Sequence, residues 1–322
     1  MARVRSFNQT DYCDAFLNLT TLGRQNKSRK LGHVPTSIDY RAFSGQHQVI
    51  GRGGEGAVYS VANLENRVYK EFFATSRSMS DLIALEGLIE LPNQWTEQER
   101  VWLTQRTVWP ETMVLDQSRL KGVIMPRIET SYFRKHGVEQ NSISIFYEWN
   151  YLTFRNKFLS NPKIVSEMPR VSTIDAISLV HDLSKTIKLL HKYGVVIGDI
   201  SGKNLLWTDT PNLQVMIIDC DSFKIAGPGD VAWPKQSPNW EDPFLNGNPT
   251  SQESDIYKLA LAAYRAIWAV GTDCPQPPIF SLAPKPNDVP DVLASLITRS
   301  LAKASRPTAE EWENVLAVAK TN

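Results

Sequence analysis

The sequence has few cysteines, almost no net charge and no long apolar run, and each absence argues against a class of protein. Its three cysteines, Cys13, Cys220 and Cys274, are odd in number and lack metal-ligand spacing, which argues against a disulfide framework or a zinc module. A formal net charge of +1 provides no overall field for nucleic acid or an anionic membrane. The longest apolar stretch, residues 259–270, is interrupted by Arg265 and too short to span a bilayer. No internal repeat or long low-complexity segment is present.

The chain has the size and apolar content of a globular protein. Its 322 residues are 42% hydrophobic, which is enough to bury substantial cores. The first six residues lack the apolar centre of a secretion signal. We therefore expect a cytoplasmic protein that forms one two-lobed unit.

Residues 1–44 are basic and show little periodicity. They contain seven Lys or Arg and three Asp, with a cluster at Arg24, Lys27, Arg29 and Lys30. We interpret them as an extension before the first lobe, either a solvated tail or a docking arm for an acidic regulatory protein.

Residues 45–128 alternate short apolar runs with turns and contain one clear helical pattern. Residues 68–73 are rich in strand formers, and residues 80–91 carry apolar residues at helical spacing, ended by Pro92. Two further strands are predicted at 112–115 and 122–128, around a polar turn. These residues predict a first lobe of strands with one main helix.

Residues 129–322 are predicted to be mainly helical. A stripe between Ile174 and Leu190 follows a capping box of Ser172 and Asp175 and stops before Gly194. Further helices are predicted over 254–268, 289–302 and 308–319. The first of these is apolar around most of its circumference, which is typical of a helix inside a lobe.

A glycine-rich loop lies between two strand-like segments. The pattern GxGxxG is followed two residues later by Val58. Glycines let backbone amides approach phosphates, and flanking strands favour a phosphate-covering hairpin over a dinucleotide-binding turn. An ordinary glycine-rich turn is the alternative. The glycines are Gly51, Gly53, Gly54 and Gly56.

Lys70 follows the last of these glycines by fourteen residues and lies in an apolar strand. An unpaired ammonium is costly there, so the position predicts an acidic partner or an anionic ligand. Glu86, sixteen residues later on the predicted helix, is the candidate partner, with Glu90 one turn further as the alternative.

Three polar residues near the middle of the chain predict phosphoryl transfer. Asn204 follows Asp199 by five residues, and Asp219 comes fifteen residues later at the end of an apolar run. Two acids and an amide in this order form the smallest set that can hold a magnesium nucleotide and orient a hydroxyl.

The order and spacing of these features resemble those of the eukaryotic-type protein kinases over residues 50–316. The resemblance is to the branch found in bacteria, in which the residues before the catalytic acid are often altered. Residues 219–223 are similar to the Asp-x-Asp-Ser-Phe metal motif of that branch. Trp109-Pro110 and Met125-Pro126 also resemble features of that branch. This implies an α+β, two-lobed kinase-like fold: residues 45–128 form a small antiparallel sheet with one main helix, and residues 129–322 form a larger helical lobe.

The resemblance also implies roles for individual residues. Asp199 accepts the proton of the attacking hydroxyl, and Asn204 and Asp219 hold magnesium. Lys70, fixed by Glu86, contacts the phosphates of ATP. The nucleotide is also bound by the glycine loop and by a hinge, where the Pro126 carbonyl accepts from adenine and the Ile128 amide donates. The residues assigned to ATP are Gly51, Gly53, Gly54, Gly56, Val58, Lys70, Met125, Pro126 and Ile128.

Several residues depart from the pattern of the resembled kinases. Ile197 and Gly198 replace the His and Arg before the catalytic acid, so no guanidinium is available there for a phosphate on the activation loop. We predict activity without loop phosphorylation. Ser201 replaces a lysine, and Lys203 is predicted to contact the γ-phosphate instead, from the position where tyrosine kinases carry a basic residue.

The metal motif also departs from the pattern of the resembled kinases. Cys220 and Asp221 replace Phe and Gly, which changes the expected regulation; Cys220 is interpreted as a buried small residue or, alternatively, a redox-sensitive thiol. Ser222 and Ser237 are candidate autophosphorylation sites.

Two distal features are similar to those of protein kinases. Asp255 opens an apolar helix, as does the acid that braces their catalytic loop. Arg306 is predicted to pair with Glu241 or Asp242 at the end of the activation segment.

The sequence therefore predicts a Mg-ATP-dependent kinase that phosphorylates Ser or Thr of a protein substrate, with no nucleic-acid or membrane partner. A small-molecule kinase of the aminoglycoside or choline type and a nucleotide-binding pseudokinase are the alternatives. The Gly198-Asp199 and Ile218-Asp219 pairs also occur in small-molecule kinases of that type, and the altered loop suggests the pseudokinase.

Overall fold

Strands dominate the first part of the chain and helices the second. A computed structural model describes residues 36–42, 47–62, 64–73, 79–136, 143–155, 171–225, 236–271, 275–279, 281–303 and 305–320. The chain divides into two compact units, one of residues 1–90 and 110–127 and the other of residues 91–109 and 128–322. The mixed α+β class expected from the sequence is confirmed.

The first unit contains a six-stranded sheet with the order β1-β5-β6-β4-β3-β2. All neighbouring pairs within residues 45–128 are antiparallel, as expected, and β1, which precedes these residues, adds a parallel pair with β5 at one edge. The strands are β1 (Ser37–Asp39), β2 (His47–Arg52), β3 (Gly56–Val61), β4 (Arg67–Phe72), β5 (Thr112–Asp116) and β6 (Arg119–Pro126).

Each face of this sheet has its own apolar cluster. One face packs against helix α1 (Met79–Glu90), through Phe72, Leu85, Met113 and Val123. The other is built from Ile38, Val61, Tyr69, Val114 and Ile124. Because strand side chains alternate between faces, Lys70 lies on the α1 side, two residues from Phe72 and directly opposite Val123.

Residues 37–39 are part of the sheet, although the sequence analysis assigned all of 1–44 to an extension. Ile38 is 7% exposed and packs in the core, and β1 pairs with β5 through Val114. A three-residue strand with one apolar side chain gives no periodic signal, which is why this pairing was not predicted. Residues 1–35, with the basic cluster and Cys13, lie outside the described residues, as does Cys274.

The second unit is built around helix α5, whose residues from Ser254 to Trp268 are all buried, as its apolar pattern predicted. It contacts α3, α4 and α6, and α4 contacts α7. The helices of this unit are α2 (Glu97–Arg106), α3 (Asn150–Thr153), α4 (Thr173–Lys192), α5 (Gln252–Trp268), α6 (Asp291–Ser300) and α7 (Ala309–Ala319).

Helix α4 begins and ends where the sequence predicted. The Asp175 amide donates to the Ser172 hydroxyl, and the Asp175 carboxylate accepts from the Ser172 amide, which completes the capping box. Gly194 has a φ of 72°, in the left-handed region that favours glycine after a helix.

Helix α2 belongs to the second unit, although it precedes β5 in the chain. Leu103 is fully buried, and α2 contacts α4. Glu99 accepts hydrogen bonds from Lys192 Nζ at 2.5 Å and Tyr193 Oη at 2.6 Å. These bonds, that of Lys192 foremost, lower the pKa of Glu99 to about 2. The helix is therefore fixed to the end of α4 by polar as well as apolar contacts.

Three two-stranded sheets complete the second unit as described. They pair β7 (Phe133–His136) with β8 (Ile143–Phe146), β9 (Val195–Val196) with β12 (Lys224–Ile225), and β10 (Leu205–Thr208) with β11 (Gln214–Ile217). Residues 137–142, 156–170 and 226–235 lie outside the described residues. No described helix combines the length and hydrophobicity needed to cross a bilayer.

Candidate functional site

Asp199 lies in the loop between β9 and β10, and its carboxylate accepts three hydrogen bonds. Oδ1 accepts from the Ser237 amide at 2.8 Å. Oδ2 accepts from the Ser237 hydroxyl at 3.0 Å and from Asn204 Nδ2 at 2.9 Å. The carboxylate is thus fixed in orientation and has a seryl hydroxyl directly against it. The sequence singled out Ser237 but gave no signal for this contact, which joins residues 38 positions apart.

Asn204 and Asp219 are brought together by the β10–β11 hairpin. Leu205 pairs with Ile217, and the Ile218 amide donates to the Asn204 carbonyl at 2.9 Å, so Asp219 directly follows the position opposite Asn204. Asp219 is exposed and has a φ of 60°. A non-glycine residue in this left-handed conformation costs free energy, and such strain is found preferentially at functional sites. The three residues predicted to perform phosphoryl transfer therefore lie in one region of the second unit.

Asn204 and Asp219 offer a donor set that suits magnesium. Asn204 Nδ2 also donates to the Asp199 carbonyl at 3.0 Å, which leaves the amide oxygen as an acceptor. Among the described residues no group of three or more His, Cys, Asp or Glu forms an all-protein metal cage. Magnesium is commonly held by one or two protein oxygens, with phosphates and water completing its octahedron. The chemistry of this pair fits that mode.

The backbone before Asp199 is held by a buried carboxylate. Asp255, at the start of α5, is fully buried, and its oxygens accept from the Ile197 and Gly198 amides, both at 2.9 Å. Its Oδ2 also lies 3.1 Å from His191 Nε2. Gly198 has a φ of 77°, which disfavours any residue with a Cβ. Asp255 thus braces the loop, as its position in the sequence predicted.

Lys203 is exposed at the other end of this loop, near Glu148. Burial raises the pKa of Glu148, and the Lys203 charge opposes that shift. Gly202, next to Lys203, allows a close approach, because a Cβ there would lie 1.8 Å from Asn150 Oδ1.

A cleft of about 510 Å³ opens beside the loop. Its described lining includes Ser201, Lys203, Ser237 and Trp240.

The glycine loop of the first unit forms the hairpin between β2 and β3, closed by the Gly53 amide donating to the Gly56 carbonyl at 2.9 Å. A Cβ on Gly56 would lie 2.2 Å from the Glu71 carbonyl, so strand pairing explains that glycine. At Gly53 and Gly54 no described atom lies within 4 Å of an added Cβ. Gly51 ends up in β2, and Val58, half-buried, in β3.

Lys70 is 6% exposed in β4, 5.9 Å from the centre of the Phe72 ring. Of the two glutamates predicted as its partner, Glu86 is half-buried on α1 and Glu90 is exposed. The buried acid of this helix is Asp81, at 8% exposure. It lies one turn before Leu85, which packs on the sheet face that carries Lys70. Asp81 was not among the predicted partners, although its helical spacing from Leu85 and Leu88 is visible in the sequence.

The predicted hinge residues lie where the chain leaves the first unit. Met125 and Pro126 end β6, opposite Val68 and Arg67, and the first unit ends at Arg127. Ile128 is the first residue of the following segment of the second unit.

Contacts in the second unit decide the partner of Arg306 and show the setting of Cys220. Arg306 donates to Asp242, with Nη1 2.5 Å from Oδ2 and Nη2 3.0 Å from Oδ1, so Asp242 rather than Glu241 is its partner. The pair is nearly inaccessible to solvent, with side-chain exposures of 5% and 2%. Cys220 is fully buried, and its thiol donates to the Ile217 carbonyl at 3.3 Å. This is the environment of a small buried residue.

No protein-family model matches the chain, and no curated protein matches it significantly.

Proposed function

We propose that the protein is a Mg-ATP-dependent kinase that transfers the γ-phosphate of ATP to Ser or Thr hydroxyls of proteins. The observation that carries this proposal is the Ser237 hydroxyl, 3.0 Å from Oδ2 of Asp199, in a loop that also carries Asn204. A carboxylate that accepts a hydrogen bond from a seryl O–H is in the position required to orient that hydroxyl and accept its proton.

Other residues near Asp199 would have distinct roles in this reaction. Asn204 and Asp219 would hold magnesium, which would neutralise the charge of the phosphates. Lys203, exposed beside the loop, would neutralise the γ-phosphate as transfer proceeds. Asp199 is kept in place by Ser237, by Asn204 and by the backbone contacts of Asp255.

In the first unit, the glycine loop and Lys70 would contact the phosphates of ATP. Since Gly53 and Gly54 have open space where a Cβ would lie, packing among the described residues does not explain these glycines, whereas close approach of phosphates to backbone amides does. Met125, Pro126 and Ile128 would contact adenine through their backbone.

A protein kinase-like fold and a protein substrate are supported by two contacts of the second unit. Asp255 binds the backbone before Asp199, and Arg306 binds Asp242. Both pairs were expected from the resemblance to protein kinases, and they count against a small-molecule kinase. The cleft lined by Ser201, Lys203 and Ser237 offers space for a segment of a protein substrate beside the Asp199 carboxylate.

The proposal is tested by incubating the wild type with labelled Mg-ATP, a generic basic protein and a panel of small alcohols. Asp199→Asn keeps the size of the side chain but removes the base, so we expect label on protein to fall by about 10²- to 10⁴-fold. Asp288→Asn is the matched control, because Asp288 is exposed and remote in sequence from the loop.

Three results contradict the proposal in different ways. Transfer only to small alcohols favours a small-molecule kinase. ATP binding without any transfer favours a pseudokinase. Equal transfer by wild type and Asp199→Asn would show that Asp199 takes no part in the reaction.

A further inference from the structure

Lys258 is a fully buried lysine in the second unit, on the helix that braces the candidate catalytic loop. It lies three residues after Asp255 on α5, so the two side chains share one helix face. Its Nζ donates to the carbonyl oxygen of Gly198. The sequence analysis overlooked it, although a lysine within a helix that is apolar on all sides requires a partner.

With this bond, every backbone polar group from the Ile197 amide to the Asp199 carbonyl has a partner. Asp255 accepts from the two amides of Ile197 and Gly198. The Ile197 carbonyl accepts from the Asp199 amide at 2.9 Å, and the Asp199 carbonyl accepts from Asn204. The peptide between Gly198 and Asp199 is therefore held on both sides, by Lys258 at its carbonyl and by Ile197 at its amide.

Burial lowers the pKa of the Lys258 ammonium, and the carboxylates of Asp255 and Asp199, and then those of Asp242 and Glu241, oppose that shift. The side chain thus brings a cation into a layer of acids that includes the proposed catalytic base.

We propose that Lys258 is a positioning residue for Asp199, which fixes the Gly198–Asp199 peptide and supplies a buried positive charge beside the catalytic loop. Gly198 is the residue at which the resembled kinases carry arginine, and here the cation reaches the same backbone from α5 instead. The inference rests on the proposed function for its kinetic consequence, but the positioning itself is a property of the loop. Because Lys258 is one of the buried residues of α5, its side chain is held in place without a phosphate.

The first test compares Lys258→Met with the wild type and with Tyr264→Phe. Methionine keeps most of the length of lysine without its charge. Tyr264 is a matched control, since it is fully buried on the same helix and its hydroxyl accepts from the Ala283 amide, remote in sequence from the loop. We expect kcat per folded molecule to fall about 10- to 100-fold in Lys258→Met, as for a displaced catalytic group, while KM for ATP stays within about threefold. In Tyr264→Phe kcat should stay within about twofold of wild type, whatever the change in Tm.

The second test is rescue of Lys258→Ala with n-propylamine, which replaces the atoms that the substitution removes. We expect the amine to raise kcat at least about tenfold, and propan-1-ol, of the same size but neutral, to leave it unchanged. Equal rescue by both compounds would assign Lys258 a space-filling role and overturn the proposal.

The third measurement does not depend on activity. Hydrogen exchange of the Gly198 and Asp199 amides should be at least about tenfold faster in Lys258→Met and unchanged in Tyr264→Phe, because loss of the Nζ bond frees the peptide. Unchanged exchange in Lys258→Met overturns the positioning role even if the wild type transfers no phosphate. If the wild type transfers no phosphate but exchange accelerates as expected, the proposed function has failed and the positioning role stands.

Discussion

At the scale of single residues, Ser237 is the closest neighbour of the Asp199 carboxylate. It donates twice, from its amide to Oδ1 at 2.8 Å and from its hydroxyl to Oδ2 at 3.0 Å. A carboxylate has about four acceptor positions, and three of them are filled here, counting Asn204. With respect to the described residues, one position is left for the hydroxyl of the proposed substrate, so Ser237 orients the carboxylate without blocking it.

Removal of the Ser237 hydroxyl should therefore slow the proposed reaction. Ser237→Ala keeps the amide bond to Asp199 but loses a hydrogen bond to a charged group, which is worth about 1.5–3 kcal/mol. We expect kcat to fall about 10- to 100-fold at similar KM for ATP, and Ser237→Thr, which keeps a hydroxyl, to retain most of the activity. Steady-state kinetics on the labelled protein substrate measure this. An alanine variant as fast as wild type would show that the hydroxyl has no orienting role.

At the scale of secondary structure, helix α1 and strand β4 present charged groups to the same buried layer. Lys70 faces α1 because its strand neighbour Phe72 and its cross-strand partner Val123 pack there. Asp81 is the acid of α1 with the lowest exposure, 8%. Burial of one charge is costly, and burial of two opposite charges in one layer favours their pairing.

We predict that Asp81, rather than Glu86 or Glu90, is the acid on which the function of Lys70 depends. Asp81→Asn removes a carboxylate from the layer of the Lys70 ammonium, at a cost of about 3 kcal/mol if the two groups pair. We expect KM for ATP to rise at least about tenfold and Tm to fall. Glu90→Gln, at an exposed site on the same helix, is the control and should be near wild type. A tenfold effect of Glu86→Gln with none of Asp81→Asn would restore the assignment made from the sequence.

The sequence predicts elements whose signals are local and misses contacts that arise only in the folded chain. Helix α4 was placed correctly because the capping box of Ser172 and Asp175 and its apolar stripe lie within one segment. Strand β1 was missed because its pairing with β5 joins residues more than seventy positions apart and only Ile38 is apolar.

The same distinction applies to the candidate site. The spacing of Asp199, Asn204 and Asp219 is a short-range signal, and the β10–β11 register brings these residues together as the spacing implied. The Ser237 contact, the Lys258 bond and the burial of Asp81 depend on tertiary packing. A lysine or aspartate at an apolar helix position was nevertheless a visible signal that a charged partner was required.

At the scale of the whole molecule, the order of the elements along the chain does not match their division into two units. Residues 91–109 separate α1 from β5 in sequence, yet they belong to the second unit. Leu103 of α2 is fully buried there, and Trp109 packs edge-on against Phe223 with ring centres 5.9 Å apart. The sequence suggested a boundary at residue 128. That boundary therefore assigns residues 91–109, which belong to the second unit, to the first lobe.

This division predicts which elements lose protection from hydrogen exchange when α2 is destabilised. Leu103→Ala deletes buried atoms and should lower the free energy of unfolding by about 2–5 kcal/mol. Val101→Ala, two residues away at 48% exposure, should change it by no more than about 0.5 kcal/mol. Hydrogen exchange followed by mass spectrometry locates the effect: protection should fall in α4 and β11, which contact α2, and remain in β3, β4 and β6. Loss of protection confined to the six-stranded sheet would instead assign α2 to the first unit, because local opening follows the contacts that a side chain supports.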